Sequence, residues 1–426
     1  MRVEPAAAVR GAIGVPGVKG ISQRAVLLGA VADGASRIRG FGRAADTESA
    51  IDVARALGAR VDEDGDEVVV HGVGLRGLQA PAAPIDCGNA GTVLRLVSGL
   101  LAGQNGTFEL VGDESLSARP HERVAEPLRQ MGAVVETTDG HAPVRITGAR
   151  LRPVRYQLPV ASAQVKSAIL LAGLLAETGP TVVVEPVPTR DHTERLLSGL
   201  GVRVGRGPRE VSVWPVDRLS PLELEIPGEF SSAAPFIVAA VLLAESELVV
   251  QGVNVNSTRT GLLDVLERMG ARVTIFNRRA VGGEPVADLE VRSAPLVAAT
   301  VDREQVPSLV DELPLLALVA AFARGTTDVR GAEELRHKET DRIAAVVEEL
   351  RRLGVRAEAR PDGFRVAGVP SRPRGGRLDA RGDHRMAMLG AIAGLVSRDG
   401  VEVEGAESVA ISFPGFFDLL ESITHR

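Results

Sequence analysis

The chain has 426 residues, of which 45% are hydrophobic and 24% charged, the composition of a globular protein with two or three domains. A net charge of −6 and only 3% aromatic residues argue against a nucleic-acid binder, and the single cysteine excludes an internal disulfide framework and a cysteine-rich metal site. The longest apolar run, about residues 313–323, is shorter than the ~20 residues of a membrane helix, and the N-terminus does not resemble a signal peptide, so we expect a cytoplasmic enzyme.

In chain order, an Ala- and Leu-rich helix followed by a short β-branched strand recurs six times. A polar loop and an amphipathic helix follow each strand, and a further strand then completes every repeat except the sixth. That period fits a compact α/β repeat rather than a small solenoid repeat. The six buried helix–strand pairs end 66 to 79 residues apart, at Gly40, Gly112, Pro186, Gly252, Gly331 and Gly405. Five amphipathic helices end in Leu-Gly or Met-Gly pairs, where glycine suits a left-handed helix end, at Gly58, Gly132, Gly201, Gly270 and Gly354.

Pro-Gly pairs break the pattern at 16–17 and again at 227–228, before the first and the fourth repeat. We therefore predict an N-terminal lobe over residues 16–226, with three repeats. Residues 1–15 and 227–426 are predicted to form a discontinuous C-terminal lobe with the other three. Two similar lobes joined by two chain crossings suggest a cleft that closes on a substrate.

Each almost wholly apolar helix begins with polar or ionic residues, and together these predict an anion site. A helix start offers free N–H groups and the positive end of a dipole, so cations and hydroxyls placed there favour anions. The polar positions are Lys19, Arg24, Asn89, Gly91, Thr92, Arg95, Ser162, Gln164, Lys166, Ser231, Ser232, Asp311, Glu312, Asp383, His384 and Arg385. Other loops add Arg119, Arg190 and the run 336–342. The predicted ligands are small molecules bearing phosphates and carboxylates, held by bidentate arginines.

Each of these features, taken alone, has a simpler interpretation. Asp311 can be an ordinary helix cap, His384 a buried histidine with satisfied hydrogen bonds, and residues 338–342 a solvated helix start. The binding interpretation is favoured because the same position is polar or ionic in all six repeats.

Three motif matches are rejected. Residues 72–77 fit G-x-G-x-x-G, but Pro81 and Pro84 follow where a dinucleotide-binding fold needs a helix. Residues 62–66 resemble a calcium loop, but the glycine is misplaced and a hairpin turn is favoured. The seven histidines show no H-x-x-x-H pairing, so no metal site is predicted.

Six segments, in this order, resemble the 5-enolpyruvylshikimate-3-phosphate (EPSP) synthase family, and the resemblance covers essentially the whole chain. They are 16–24, 88–92, 162–168, 190–195, 338–342 and 383–388. The resemblance implies an α/β (α+β) fold of two domains, each an inside-out α/β barrel of three βαβαββ-type repeats. It also implies transfer of the enolpyruvyl group of phosphoenolpyruvate (PEP) to the 5-hydroxyl of shikimate 3-phosphate, a step of the shikimate pathway to aromatic amino acids.

The same resemblance implies roles for individual residues. Shikimate 3-phosphate would be bound by Lys19, Gly20, Arg24, Ser162, Ala163, Gln164, Thr189, Arg190, Asp311 and Lys338. PEP would be bound by Lys19, Asn89, Gly91, Thr92, Arg119, Gln164, Arg342, His384 and Arg385, with Arg95 in support. The catalytic residues would be Asp311 as base for the 5-hydroxyl, Glu339 as acid and then base for the PEP methylene, and Lys338, Lys19 and His384. No cofactor or metal is implied, and the partners are the two small substrates of a monomer, with no nucleic acid or membrane.

The chain departs from the family pattern near Lys19. Val18 and Gly20 stand where the family has Asp or Ser and then Ser, so one hydroxyl expected at the shikimate carboxylate is missing. A hydrogen bond to a charged group contributes ~1.5–3 kcal/mol. Without it, the chain would bind shikimate 3-phosphate more weakly or use a different acceptor. Ile411 stands where some members have lysine. Gly91 matches the members that the PEP mimic glyphosate inhibits, so inhibition is predicted.

Two alternatives remain. One is a sister enolpyruvyl transferase that acts on another phosphorylated alcohol, such as a nucleotide. Its UDP-N-acetylglucosamine branch is disfavoured because Cys87 lies beside the Gly-Asn motif rather than in the lid-loop position of that branch's catalytic thiol. The other is a non-catalytic barrel that binds anions.

Overall fold

The computed structural model describes residues 1–369 and 371–426. Its strands are β1 (Arg2–Val3), β2 (Ala8–Gly14), β3 (Ala35–Arg39), β4 (Arg60–Asp64), β5 (Glu67–His71), β6 (Ile85–Asp86), β7 (Thr107–Val111), β8 (Val134–Thr138), β9 (His141–Thr147), β10 (Arg155–Gln157), β11 (Thr181–Val184), β12 (Val204–Arg206), β13 (Glu210–Val213), β14 (Glu223–Glu225), β15 (Glu247–Asn254), β16 (Arg272–Val281), β17 (Glu284–Arg292), β18 (Thr300–Val301), β19 (Gly325–Val329), β20 (Arg356–Arg360), β21 (Gly363–Gly368), β22 (Gly376–Asp379), β23 (Val401–Glu404) and β24 (Thr424–His425).

The helices are α1 (Lys19–Ala30), α2 (Ala45–Ala56), α3 (Gly91–Leu101), α4 (Glu114–Ser117), α5 (Glu122–Met131), α6 (Ala163–Gly173), α7 (His192–Gly199), α8 (Phe230–Leu242), α9 (Gly261–Arg268), α10 (Leu313–Phe322), α11 (Arg342–Arg352), α12 (His384–Val396) and α13 (Phe416–Ile423). Short 3-10 helices span Val306–Ser308, Glu333–His337 and Ala406–Ile411. Within the described residues, no helix combines the length and the apolar character needed to cross a membrane.

The chain forms two compact units. The N-terminal unit comprises Gly17–Ile226 and Ala280–Glu284, and the C-terminal unit comprises Met1–Pro16, Pro227–Arg279 and Pro285–Arg426. The three sheets of the N-terminal unit have the strand orders β14-β3-β5-β4, β6-β7-β9-β8 and β10-β11-β13-β12. The three sheets of the C-terminal unit have the orders β16-β17-β15-β2-β24, β18-β19-β21-β20 and β1-β23-β22.

In a typical repeat, the strand before a buried helix pairs in parallel with the strand after it. β6 pairs with β7 across α3, and β10 pairs with β11 across α6. A hairpin then adds two antiparallel strands, as β8 and β9 do beside β7. Parallel neighbours need such a crossover, so each repeat carries one helix against its sheet.

The first and fourth repeats exchange their opening strands. β2 precedes α1 but pairs in parallel with β15, where Arg10 lies opposite Glu247. β14 precedes α8 but pairs in parallel with β3, where Glu223 lies opposite Arg37. This exchange makes the C-terminal unit discontinuous in sequence.

Three apolar helices lie at the centre of each unit, α1, α3 and α6 in one and α8, α10 and α12 in the other. Every residue of α1 from Ile21 to Ala30 is buried, and so is every residue of α12 except Arg385. A helix that is apolar on all sides belongs in an interior, so the sheets lie outside and the helices inside. The predicted α/β class and the predicted buried helices are confirmed.

The predicted helix ends are also confirmed. The five glycines that follow the amphipathic helices all have φ between 79° and 112°, a region in which a side chain is strained. The rejected motifs behave as expected, because 62–66 lies in the β4–β5 hairpin and residues 72–84 contain no helix. The prediction that the sixth repeat lacks a final strand is wrong, since β24 pairs antiparallel with β2.

Candidate functional site

The start of α1 presents a half-buried ion pair. Lys19 Nζ lies 2.7 Å from Asp46 Oδ2, and the two side chains are 24% and 15% exposed. Gln23 Nε2 donates to the backbone oxygen of Asp46 over 2.8 Å. Asp46 therefore orients the ammonium of Lys19 at the positive end of a helix whose first turn carries no acidic residue, a setting that favours an anion.

Arg24, one turn further along α1, is buried and its guanidinium is held on three sides. Nε donates to Thr193 Oγ1 over 2.7 Å, and the two terminal nitrogens donate to Ser167 Oγ over 3.1 Å and to the backbone oxygen of Gly20 over 2.8 Å. Burial lowers the pKa of Arg24 to about 10, with a further decrease from the charge of Arg190, against the opposing effect of Glu194. Arg24 therefore contacts Gly20 and lies near Arg190.

Two guanidinium groups flank the start of α3. Arg119 donates to Asn89 Oδ1 over 2.6 Å, and Asn89 Nδ2 donates to Asp113 Oδ2 over 2.7 Å. A methyl group on Gly91 would lie 3.3 Å from one terminal nitrogen of Arg119 and 3.4 Å from one of Arg95. The absence of a side chain at Gly91 therefore leaves these cations room beside the helix start.

Gln164 joins the starts of α3 and α6. Arg95 donates to Gln164 Oε1, and Gln164 Nε2 donates to Thr92 Oγ1 over 2.9 Å. At the same end of α6, the backbone N–H of Val165 donates to Ser162 Oγ over 3.4 Å, which makes Ser162 the helix cap. Ala163 is the first residue of α6.

Thr189 and Arg190 lie in the segment between β11 and α7. Thr189 is buried and its hydroxyl donates to Glu185 Oε1, while Arg190 is half-buried. Glu185 in turn contacts Lys166 of α6, at 3.0 Å. The segment that carries Thr189 and Arg190, both predicted to bind shikimate 3-phosphate, is therefore linked to the helix that Ser162 caps.

In the C-terminal unit, Asp311 lies between two arginines. Asp311 Oδ2 is 3.1 Å from a terminal nitrogen of Arg259, and Asp311 Oδ1 is 3.7 Å from one of Arg342. The side chain of Asp311 is 15% exposed, whereas those of Arg259 and Arg342 are 6% and 2% exposed. The carboxylate of Asp311 is therefore oriented by two buried cations while part of its side chain remains exposed.

Glu312, the next residue, is completely buried beside the same arginine. The hydroxyl of Ser231 donates a hydrogen bond to Glu312 Oε1, and Arg259 donates one to Ser231 Oγ over 2.5 Å. Burial raises the pKa of Glu312, and Asp311 raises it further, against the lowering effect of Arg259. Burial alone would lower the pKa of Arg259, but Glu312, Asp311 and Glu229 outweigh it and raise that pKa.

Arg342 connects three carboxylates. Its Nε lies 2.8 Å from Asp383 Oδ2, and one terminal nitrogen lies 2.6 Å from Glu339 Oε2 and 3.2 Å from Asp383 Oδ1. Burial alone would lower its pKa, but Asp383, Glu339 and Asp311 outweigh burial and raise it. One permanently charged guanidinium thus lies within 4 Å of both Asp311 and Glu339.

The start of α12 supplies a further cation. Asp383 caps the helix by accepting the backbone N–H of Arg385 over 2.8 Å. A terminal nitrogen of Arg385 donates to the backbone oxygen of Ser231 over 3.2 Å, while its buried Nε has no hydrogen-bond partner among the described residues. His384 is 5% exposed at the first position of α12, and Lys338 is half-buried next to Glu339 in the chain.

Three departures from the family pattern can be located. A side chain at Gly20 would start 3.3 Å from a terminal nitrogen of Arg24, so a serine there would meet the buried cation. Val18 is buried, at 4% exposure. Ile411 is partly exposed, at 37%, at the end of a 3-10 helix.

The structure brings the predicted residues together in separate groups. The N-terminal unit groups Asn89, Gly91, Thr92, Arg95, Arg119 and Gln164. The C-terminal unit groups Asp311, Glu339 and Arg342 through ion pairs, and Arg385 joins them through its backbone N–H, which bonds to Asp383. The sequence interpretation missed the partners Asp46, Asp113 and Arg259. Arg259 was detectable, because it follows the strand of the fourth repeat as Arg119 and Arg190 follow those of the second and third.

Within residues 1–369 and 371–426, no group of three or more His, Cys, Asp or Glu side chains is arranged to hold a metal ion. Cations, hydroxyls and amides predominate in the group of the N-terminal unit, and the group of the C-terminal unit combines cations with carboxylates; the cations suit phosphate and carboxylate groups of a ligand.

The EPSP synthase family model, described as 3-phosphoshikimate 1-carboxyvinyltransferase, matches residues 3–420. A 3-phosphoshikimate 1-carboxyvinyltransferase of Alkalilimnicola ehrlichii is 50% identical over 422 residues, covering 98% of this chain and 94% of the relative. The enzyme of the same name from Halorhodospira halophila is 50% identical over 426 residues, covering 99% and 95%.

Solved structures show the same architecture. EPSP synthase from Acinetobacter baumannii is 40% identical, with a TM-score of 0.90 over 99% of this chain and 97% of that one. The enolpyruvyl transferase NikO from Streptomyces tendae has a TM-score of 0.77 over 99% and 96%, and at 22% identity this likeness concerns the fold alone.

Proposed function

Since the chain belongs to the EPSP synthase family, we propose the following division of roles among its side chains. The reaction is the transfer of the 1-carboxyvinyl group of PEP to the 5-hydroxyl of shikimate 3-phosphate, with release of phosphate. The nucleotide acceptor considered from the sequence has less support, because the relatives at 50% identity are named for 3-phosphoshikimate.

The start of α6 and the segment before α7 bind the acceptor. Ser162, Ala163 and Gln164 offer a helix start to the phosphate, and Thr189 and Arg190 add a hydroxyl and a cation. Lys19 and Arg24 at the start of α1 provide the positive charge for the carboxylate of the acceptor, and Gly20, whose backbone oxygen accepts a hydrogen bond from Arg24, lies between them in the chain. Asp311 and Lys338 contact the ring hydroxyl that reacts.

Each unit contributes residues that are assigned to PEP. In the N-terminal unit, the residues assigned to PEP are Lys19, Asn89, Gly91, Thr92, Arg119 and Gln164. In the C-terminal unit, they are Arg342, His384 and Arg385. The buried Nε of Arg385, which has no hydrogen-bond partner in the described chain, is available to an anionic oxygen.

Two carboxyl groups carry the proton transfers. Asp311 takes the proton of the 5-hydroxyl while that oxygen bonds to C2 of PEP, and Glu339, assisted by Lys338, gives a proton to the methylene at C3. The tetrahedral adduct then loses phosphate as its C–O bond breaks, and Glu339 recovers a proton from the new methyl group. The cations stabilise the phosphate and carboxylate charges through both steps.

The observation that carries this assignment is the position of Arg342. One buried guanidinium lies 3.7 Å from Asp311 and 2.6 Å from Glu339, so the two proton-transfer groups are oriented by one fixed charge. A cation beside both carboxylates also suits an anionic substrate between proton donor and proton acceptor.

Phosphate release tests the proposal. Purified protein is incubated with PEP and shikimate 3-phosphate, with PEP and uridine monophosphate, and with PEP alone. Phosphate is expected only in the first mixture. Asp311→Asn and Glu339→Gln are expected to reduce kcat by ~10²-fold or more, whereas the exposed controls Asp302→Asn and Glu358→Gln retain it. Equal release with uridine monophosphate, or full activity of both site variants, would contradict the assignment.

The enzyme is further proposed to act as a cytoplasmic monomer, because every group assigned above comes from one chain and no step uses a group outside it. Light scattering coupled to size exclusion tests the oligomeric state under assay conditions; activity that requires a dimer would overturn it.

A further inference from the structure

The distribution of lysine in this chain is unusual. Lysine and arginine together number 49, and only Lys19, Lys166 and Lys338 are lysines, which leaves 46 arginines. Lys19 and Lys338 already belong to the proposed catalytic groups. Lys166 is 1% exposed in α6, and no role has been assigned to it above.

Lys166 is the centre of a buried ionic cluster. Its Nζ lies 2.8 Å from Glu194 Oε1, 3.0 Å from Glu185 Oε2 and 3.3 Å from the backbone oxygen of Thr189. The side chains of Glu185 and Glu194 are 4% and 1% exposed. Because a buried ion pair is often no more stable than a well-packed apolar substitute, stability alone is a weak reason for such a cluster.

The cluster connects the two parts of the proposed acceptor-phosphate site. Lys166 belongs to the first turns of α6, and its backbone N–H donates to the oxygen of Ser162 over 3.0 Å. Through its side chain it contacts Thr189, both directly and through Glu185, which accepts the hydroxyl of Thr189. Ser162 and Thr189 are 27 positions apart in the chain, and Lys166 reaches both.

Two cations lie close to the buried carboxyl groups of this region. Lys166 pairs with Glu185 and Glu194, and the charge of Arg24 interacts with that of Glu194. Arg24 reaches the hydroxyl of Thr193, the residue before Glu194, over 2.7 Å. Glu194 therefore has a cation on each side, and removal of Lys166 would leave Glu185 buried without its ammonium.

We propose that Lys166 is a positioning residue that fixes Thr189 and Arg190 against the start of α6, so that both can hold the phosphate of the acceptor. This inference rests on the proposed function. An ammonium group is required because it is compact and can direct donors to three acceptors around one point, whereas the planar fork of a guanidinium cannot take those directions in the same space.

The test separates acceptor binding from catalysis and from folding. In Lys166→Arg the charge is kept and the shape is changed, so the KM for shikimate 3-phosphate is expected to rise by about tenfold or more. The KM for PEP should change by less than about twofold, because the side chain of Lys166 contacts Glu185, Glu194 and Thr189, none of which is assigned to PEP. Tyr156→Phe, which removes a hydroxyl bond of 3.1 Å to Glu126 elsewhere in the N-terminal unit, is the control and keeps both values.

A second variant covers the case in which Lys166→Arg does not fold. Lys166→Met combined with Glu185→Gln removes the ammonium together with the carboxylate that it would leave unpaired, and the same selective rise in the KM for shikimate 3-phosphate is expected. An unchanged KM for shikimate 3-phosphate in a folded variant overturns the inference. A rise in both KM values together with a fall in kcat and Tm overturns it as well. Failure of both variants to fold also overturns it, because the cluster is then needed for the fold as a whole. Wild-type phosphate release tests the underlying function separately.

Discussion

Replacement of Arg342 by methionine should separate the structural role of this residue from its chemical role. The guanidinium of Arg342 is 2% exposed and bonds to both oxygens of Asp383, which is completely buried. Breaking a buried pair by removing one partner costs about 3–5 kcal/mol, because the remaining charge has neither water nor a counter-ion. At about 2–4 °C per kcal/mol for a unit of this size, Tm should fall by about 6–20 °C.

The double variant Arg342→Met, Asp383→Asn removes the stranded charge. An asparagine oxygen can still accept the backbone N–H of Arg385, so the helix cap remains and more than half of the lost Tm should return. Activity should not return, because Asp311 and Glu339 have lost their common cation; kcat/KM should stay about 10²–10³-fold below wild type in both variants.

Calorimetry and phosphate release on the same preparations give the two readings. Arg292→Met, which removes a half-exposed ion pair with Glu247, serves as the control and should cost less than about 1 kcal/mol. The reasoning is refuted if the double variant regains activity within tenfold of wild type, or if the single variant is as stable as the control.

Further predictions concern three other positions. Gly91→Ala places a methyl group 3.3 Å from Arg119, so the KM for PEP should rise severalfold. Glyphosate should inhibit the wild type competitively with PEP, and an absence of inhibition at millimolar glyphosate would contradict this prediction. Gly20→Ser restores a hydroxyl near the acceptor and should lower the KM for shikimate 3-phosphate, which steady-state kinetics can show; a higher KM counts against the assignment. Burial lowers the pKa of His121 from 6.5 to about 4, so the unfolded chain binds the extra proton first and stability should fall as pH drops from about 6.5 to 4. Urea unfolding at pH 6.5 and at pH 4 gives the change in the free energy of unfolding over that range, and this change should be smaller in His121→Gln than in the wild type. An equal change in both proteins would contradict the assignment of the effect to His121.

The parts of the fold that follow local rules could be predicted from the sequence. Apolar runs gave the central helices, and the glycines after Leu or Met gave left-handed helix ends, because both depend on neighbouring residues alone. The Pro-Gly pairs at 16–17 and 227–228 indicate where the chain crosses between lobes, but the partners of β2 and β14 have no local signal, since each strand pairs with a segment about 190 to 240 residues away.

The candidate site divides in the same way. Helix starts and loops indicated the cations, because a cation at the positive end of a helix dipole is unfavourable unless an anion binds there. The roles predicted for Asp311 and Glu339 came from the family resemblance instead. The pairings that orient them were not predictable, since Asp46 meets Lys19 from 27 positions away and Asp383 meets Arg342 from 41. Lys166 was noted as polar, but its complete burial between Glu185 and Glu194 depends on how β11 and α7 fold around it.

The most direct test of the proton transfers is isotope incorporation during turnover in heavy water. If Glu339 protonates C3 of PEP, wild-type protein with both substrates should place solvent deuterium in the vinyl group of the product, which mass spectrometry detects. Glu339→Gln should lose this incorporation, while Glu358→Gln keeps it. Deuterium incorporation at the wild-type rate in Glu339→Gln would contradict the account.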